Sequence, residues 1–147
     1  MRLEIVREVT DELVDAFNRL LPQHSRGART VSHADLAAVV AAPSNTVLVA
    51  RDDAGTSVGT TTLVVYPTAS NVLARIEDVV VDAAARGRGI GAALTLAAIE
   101  LARQAGAVQV ELNSGDHRQA AIRLYTRLGF VKFPTNTFRY TLDQDRA

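Results

Sequence analysis

The turn Arg86-Gly87-Arg88-Gly89-Ile90-Gly91 constrains this chain more than any other stretch, because it stands between a β-branched apolar run and a long helical pattern. Glycines at such a junction let the backbone take left-handed conformations and leave no side chains over the first amides of the helix. Those amides lack intrahelical partners, and the helix dipole adds positive potential at the same end, so a strand, a glycine turn and a helix together present N–H groups to an anion. Arg86 and Arg88 add formal charge there, which fits a pyrophosphate better than a lone carboxylate. The alternative is a tight strand-to-helix connection carrying two solvated arginines.

What the turn lacks narrows the phosphate ligand. A nucleoside-triphosphate loop carries Gly-Lys-Ser/Thr to hold phosphate and magnesium, and the one lysine of this chain is Lys132. Gly87-x-Gly89-x-x-Ala92 does fit the relaxed dinucleotide fingerprint, with Glu111 about twenty residues further on. A nucleotide-binding oxidoreductase fragment is therefore a competing reading. It conflicts with the position of the loop: an antiparallel strand pattern precedes it, and residues 112–147 are too few for the remaining parallel strands of such a domain.

Around the loop, hydrophobic periodicity predicts the other elements. Residues 3–9 alternate apolar and charged side chains as a half-buried strand does, and Thr10, Asp11 and Glu12 cap a helix expected to run to about Leu21. Leu13, Phe17, Leu20 and Leu21 form its apolar face, and Pro22 helps to end it. Ser32 and Asp35 have capping-box spacing and open a helix through Ala42. Strands are expected at 46–51 and 57–66, joined by Asp52-Asp53-Ala54-Gly55, and at 73–82. The helix after the glycine turn has Ile90, Leu94, Ala97, Leu101 and Ala105 in register and stops at Gly106. A strand at 107–112, a helix at 118–128 ending at Gly129, and a strand at 130–142 complete the order βααβββαβαβ(β). That order describes a single α/β domain over residues 1–147, with a mixed sheet that is antiparallel in its first half and closes a β-α-β crossover later.

Composition removes several function classes. Lys+Arg and Asp+Glu each number 16, so the chain lacks the uniform basic field of nonspecific nucleic-acid binders, and no nucleic-acid partner is expected. Nearly all the positive charge is arginine, whose planar fork suits phosphates and carboxylates. The absence of cysteine excludes disulfides, thiolate metal sites and cysteine nucleophiles, and no metal is expected. Charges interrupt the first residues every few positions, unlike a signal peptide, and no run reaches the roughly 18 apolar residues of a membrane span. The expectation is a cytoplasmic protein without a membrane partner.

Read as Arg86-x-x-Gly89-x-Gly91, the loop resembles the acetyl-CoA pyrophosphate motif of the GNAT acyltransferase superfamily, which follows a strand like Ile76-Glu77-Asp78-Val79-Val80-Val81-Asp82. Arg118-x-x-Ala121-x-x-Leu124-Tyr125-x-x-x-Gly129-Phe130 resembles the superfamily's second conserved block. The element order agrees over nearly the whole chain, with the first forty-five residues matching in outline. The resemblance implies a central twisted mixed sheet flanked by helices, in which two parallel strands, here 73–82 and 107–112, splay apart around the thioester of acetyl-CoA. It also implies transfer of the acetyl group to a primary amine of a small molecule or peptide by direct attack in a ternary complex.

The same resemblance assigns roles. Val79, Val80 and Val81 are expected to pair with the pantetheine arm, the amides of Arg86, Gly87, Arg88, Gly89, Ile90, Gly91 and Ala92 to hold the pyrophosphate, and Asn113 to touch the cofactor, against the alternative that Asn113-Ser114-Gly115-Asp116 is turn and N-cap chemistry. Tyr125 matches the superfamily's usual acid position, against the alternative of a core tyrosine beside Leu128 and Phe130. Glu77 and Glu111 are the favoured bases, against the alternative of ion pairs with Arg75 or Arg123; strand alternation is expected to send Glu77 and Asp78 to opposite faces. For the acceptor, Arg26 and Arg29 are candidate anion contacts in an otherwise uninformative loop, and Arg75-Ile76-Glu77-Asp78 resembles the strand of glucosamine-6-phosphate N-acetyltransferases. A homodimer through the apolar C-terminal strand is a further expectation. A non-catalytic acetyl-CoA-binding regulatory module is the alternative that the same motifs allow.

Overall fold

Val47 and Val49 face one side of the strand β2 (Asn45–Arg51), Leu48 and Ala50 face the other, and all four are buried, so this strand is covered on both sides. It pairs antiparallel with β1 (Arg2–Ile5) and with β3 (Ser57–Pro67), and β3 pairs antiparallel with β4 (Val72–Val81). β5 (Val110–Glu111) adds to β4 in parallel, giving a five-stranded mixed sheet in the order β1-β2-β3-β4-β5. The computed structural model describes residues 1–143 and 145, in two compact units, Met1–Gly115 and Asp116–Ala147. The whole sheet belongs to the first unit.

The helices α1 (Asp11–His24) and α2 (His33–Ala41) cover one face of the sheet. Leu13, Phe17 and Leu36 pack there against Val47 and Val49, with Leu21, Val31 and Val40 around them. Thr10 caps α1 through its hydroxyl, and the box predicted from Ser32 and Asp35 forms in both directions, at 3.0 and 2.9 Å. α1 runs past Pro22 to His24 instead of ending near Leu21. A proline costs a helix its amide bond and crowds the turn before it, and here that cost falls in the last turn, where few bonds remain to be lost.

The helix α3 (Ile90–Gln104) covers the other face. Its buried positions are Ile90, Leu94, Ala98 and Ala102, an unbroken i,i+4 ridge, with Thr95 beside them. The predicted Ala97, Leu101 and Ala105 lie to the side of this ridge, and Ala105 is exposed. The ridge sits close to β3: a Cβ on Gly59 would lie 3.1 Å from Ile90 Cγ2, Leu94 Cδ1 and Val80 O alike.

In the second unit, α4 (Gln119–Arg127) follows the predicted helix closely. The strand expected at 130–142 is absent among the described residues. Alternation supplies the pattern of a strand, but a strand also needs a neighbouring backbone to receive its hydrogen bonds, and Pro134 removes one donor outright. Phe138, Tyr140 and Leu142, the alternating apolar residues, are about 90% exposed at 92%, 89% and 92%.

Candidate active site

The glycine loop arises where β4 ends. Asp82 caps a short 3₁₀ turn (Ala83–Ala85), and α1 braces that turn: Gln23 Oε1 accepts from the Ala83 amide at 2.9 Å and Arg19 lies 3.5 Å from Asp82. Gly87 and Gly89 both take φ of +78°, where L side chains are strained, and open space lies above each Cα. Gly89 is the N-cap of α3 and no side chain of the described residues caps that helix, so its first amides are left for water or a ligand. Arg86 turns back to donate to Val81 O at 3.2 Å, and Arg88 is exposed. The loop therefore fits a pyrophosphate: it has space at both glycines, uncapped amides, the positive end of a fifteen-residue helix, and two arginines.

β4 and β5 share a short seam. The register pairs Ala74 with Val110 and Arg75 with Glu111, and from Ile76 to Val81 the β5-facing edge of β4 has no ladder partner among the described residues. Such an edge presents backbone donors and acceptors to an extended ligand. Val79, Val80 and Val81 lie along it, with Val80 buried.

A β-bulge reshapes β4 at the same level. Thr60 pairs with Val80 and Thr62 with Glu77, so Asp78 and Val79 together oppose Thr61. Asp78 has a φ of +52°, the one positive value among the described non-glycine residues. Aspartate tolerates this region better than most residues, but the position is still strained. The bulge overturns the expected alternation. Glu77 keeps its place opposite Thr62, and Asp78 joins Thr60 and Thr62 in the lining of a cavity, so both carboxylates lie on the face that carries α1 and α2.

Arg75 gathers the other polar residues. Its guanidinium bonds Glu77 Oε1 at 3.0 Å, lies 3.6 Å from Glu111 Oε2, and donates to Asn113 Oδ1. Glu77, Glu111 and Asn113, chosen separately from the sequence, thus form one cluster at the end of the parallel seam, and the ion pairs named as the alternative for both glutamates are present. Ser114, beside Asn113, has a buried hydroxyl oxygen without a hydrogen-bond partner among the described residues. Such an atom is ordinarily satisfied by water or ligand, and the sequence marks Ser114 only as part of the Asn113-Ser114-Gly115-Asp116 turn.

Tyr125 lies on α4, in the second unit. Its ring meets Phe130 edge-on, with centroids 5.7 Å apart. Burial pushes its phenol above the ordinary value of 10, and Arg118 opposes that rise. The group therefore carries its proton throughout the neutral range.

A cavity of about 320 Å³ opens between α1, α2 and the bulge. Phe17, Leu21, Val31, Leu36 and Val39 supply its apolar wall, and Arg29, Asp35 and Asp78 its charges. His24 approaches Asp78 Oδ1 at 3.8 Å. Asp35 is occupied by the capping box, whose bonds to the Ser32 backbone and hydroxyl hold its carboxyl below the usual carboxylate range. No group of three or more metal-ligating side chains occurs among the described residues, and none of their helices is long and apolar enough to cross a membrane.

The sequence model of the Acetyltransferase (GNAT) family matches residues 6–130, and the chain belongs to that family. A putative acetyltransferase from Agrobacterium tumefaciens superposes with a TM-score of 0.83 at 28% identity, covering 96% of this chain and 100% of that one. An acetyltransferase of Trypanosoma brucei gives 0.77 at 26% identity, covering 96% and 99%. Among curated proteins, a probable glucosamine 6-phosphate N-acetyltransferase of Oryza sativa subsp. japonica is 44% identical over 57 residues, 39% of this chain and 32% of its own length. An uncharacterized N-acetyltransferase of Methanocaldococcus jannaschii is 48% identical over 58 residues, 40% of this chain and 26% of its own length. The chain spans less than a third of the length of these two curated relatives.

Proposed function

We propose that this protein is an N-acetyltransferase that moves the acetyl group of acetyl-CoA to a primary amine by direct attack in a ternary complex. The observation that carries this reading is the loop at 86–92, with two glycines at positive φ under open space and an uncapped helix behind them. The amides of Arg86, Gly87, Arg88, Gly89, Ile90, Gly91 and Ala92 are the proposed pyrophosphate cradle. Val79, Val80 and Val81 offer the unpaired edge of β4 to the pantetheine arm, and Asn113 and Ser114 stand at the end of β5 as further polar contacts.

Acetyl-CoA supplies the acetyl group as a thioester. An amine attacks only when neutral, so a carboxylate must take the ammonium's proton. Glu77 and Glu111 are the proposed acceptors of that proton, directly or through water, and Arg75 fixes their positions. Tyr125 is the proposed donor to the departing sulfur; its motif position supports this role, as does a phenol held in the protonated form.

Calorimetry with acetyl-CoA tests the reading. The parent is expected to bind, and Gly89→Glu to lose at least tenfold in affinity, because it sets a carboxylate in the anion site and a side chain at a φ of +78°. A parent that binds no acetyl-CoA overturns the reading. Binding without thiol release for any amine of a broad panel points instead to a regulatory module.

A further inference from the structure

The cavity under α1 and α2 differs from an all-polar sugar site. Its wall is built from Phe17, Leu21, Val31, Leu36 and Val39, and its charged groups are of opposite sign. Asp78 is carried into the lining by the bulge, at the level where β4 loses its β5 partner. Arg29 stands in the same lining, where, after the bonds from Ser32, its charge helps to hold the Asp35 carboxyl low, although among the described residues no salt bridge within 4.0 Å ties it to a carboxylate. The second carboxylate, Asp35, is already committed to Ser32. Of the two arginines that the loop before α2 offers, Arg29 lines the cavity and Arg26 does not.

From this arrangement we infer that the acceptor is a small zwitterionic amine with an apolar body, of the class of free aliphatic or aromatic α-amino acids. The inference rests on the acetyltransferase reading and names the substrate class of that site. Asp78 receives the ammonium, Arg29 pairs with the carboxylate, and the side chain lies against Phe17, Leu21, Leu36 and Val39. A volume of about 320 Å³ is at the small end of ligand pockets, roughly 300–1,000 Å³, and suits an acceptor of this size better than a folded protein's terminus. The strain at Asp78 is consistent with this role, since non-glycine residues at positive φ cluster where a side chain must be aimed. His24, 3.8 Å from Asp78, limits the directions in which that carboxylate can swing.

The test is steady-state acetylation followed by thiol release, with leucine, phenylalanine, leucinamide and glucosamine 6-phosphate as acceptors and acetyl-CoA binding measured in parallel. Leucine and phenylalanine are expected to exceed leucinamide in kcat/KM by at least tenfold, the usual effect of one charge-assisted contact. Arg29→Gln should reduce the leucine-to-leucinamide ratio about tenfold through KM, and Asp78→Asn should raise KM for both acceptors. Equal kcat/KM for leucine and leucinamide, or a preference for glucosamine 6-phosphate, overturns the inference. Acetyl-CoA binding with no turnover of either amino acid overturns it alone, whereas failure to bind acetyl-CoA overturns the reading beneath it.

Discussion

His24 Nε2 lies 3.8 Å from Asp78 Oδ1, joining the C-terminal end of α1 to the bulge of β4. Asp78 holds this position at a φ of +52°, where glycine has no steric penalty. Asp78→Gly should therefore unfold within about 1 kcal/mol of the parent, or be more stable, because relief of strain offsets the loss of an exposed pair. The same variant should lose at least tenfold in kcat/KM for the acceptor. Thermal unfolding and kinetics on one preparation check both halves; a large loss of stability would show that the carboxylate holds the bulge together.

Gly59 tests the packing of α3 on the sheet. Its added Cβ would meet two side-chain carbons and the backbone oxygen of Val80, each at 3.1 Å, and the backbone atom cannot rotate away. Gly59→Ala is expected to destabilise the fold by about 1–3 kcal/mol, as overpacking does. Denaturant unfolding measures this directly.

Tyr125→Phe keeps the edge-on contact with Phe130 and removes the hydroxyl. If the phenol donates the proton to sulfur, kcat should fall about 10²- to 10⁴-fold while acetyl-CoA affinity changes little. Because burial raises its pKa above 10, its protonated form is the one the fold favours. Any stability linked to that proton is present below pH 10 and is lost as pH rises through the higher folded value. The alkaline loss of activity in the parent should accordingly lie above pH 10 wherever Tyr125 governs it.

Acid sensitivity should trace to the N-terminal network. Arg51 bonds Glu4 at 2.7 Å, Glu12 at 3.1 Å, Gly55 O at 3.0 Å and Ser57 Oγ at 3.0 Å. The hydrogen bond from Arg51 is the main cause holding the Glu4 carboxyl below its ordinary 4.5. A depressed carboxyl stabilises the fold above its unfolded value, and that contribution fades as pH falls through the lower folded one. Melting temperature should thus decline as pH drops below about 4.5, and less steeply in Glu4→Gln. Arg51→Ala removes one partner each from Glu4, Glu12 and Ser57, while Arg2 stays on Glu4 and the Ser57 hydroxyl still donates to Glu12, and it should cost about 1–3 kcal/mol at neutral pH.

Much of the conformation of the glycine loop was legible from residues alone. Glycine is the residue that reaches φ of +78° without strain, so Gly87 and Gly89 between a strand and a helix point to a left-handed turn, and the helix behind them follows from the spacing of Ile90 and Leu94. The capping box of α2 was equally plain, because Ser32 and Asp35 satisfy each other's backbone within one turn. Glu77, Glu111 and Asn113 are candidates that the family resemblance offers one at a time. That Arg75 joins them depends on the parallel register of β4 and β5, which pairs residues far apart in the chain.

Local chemistry is therefore what the sequence determined: the caps, the glycine turn, the strand and helix periods, and the motif spacing that marks the family. Tertiary structure alone decided the bulge at Asp78, which placed two adjacent carboxylates on one face against strict alternation, and it brought Arg29, Phe17 and Leu36 around the same cavity. The physical reason is one of range. A cap or a left-handed glycine is settled by atoms within a few residues, whereas a strand's register, its bulges and even its existence depend on a partner backbone elsewhere in the chain, and the alternation at 130–142 without a partner among the described residues shows how little the pattern achieves by itself.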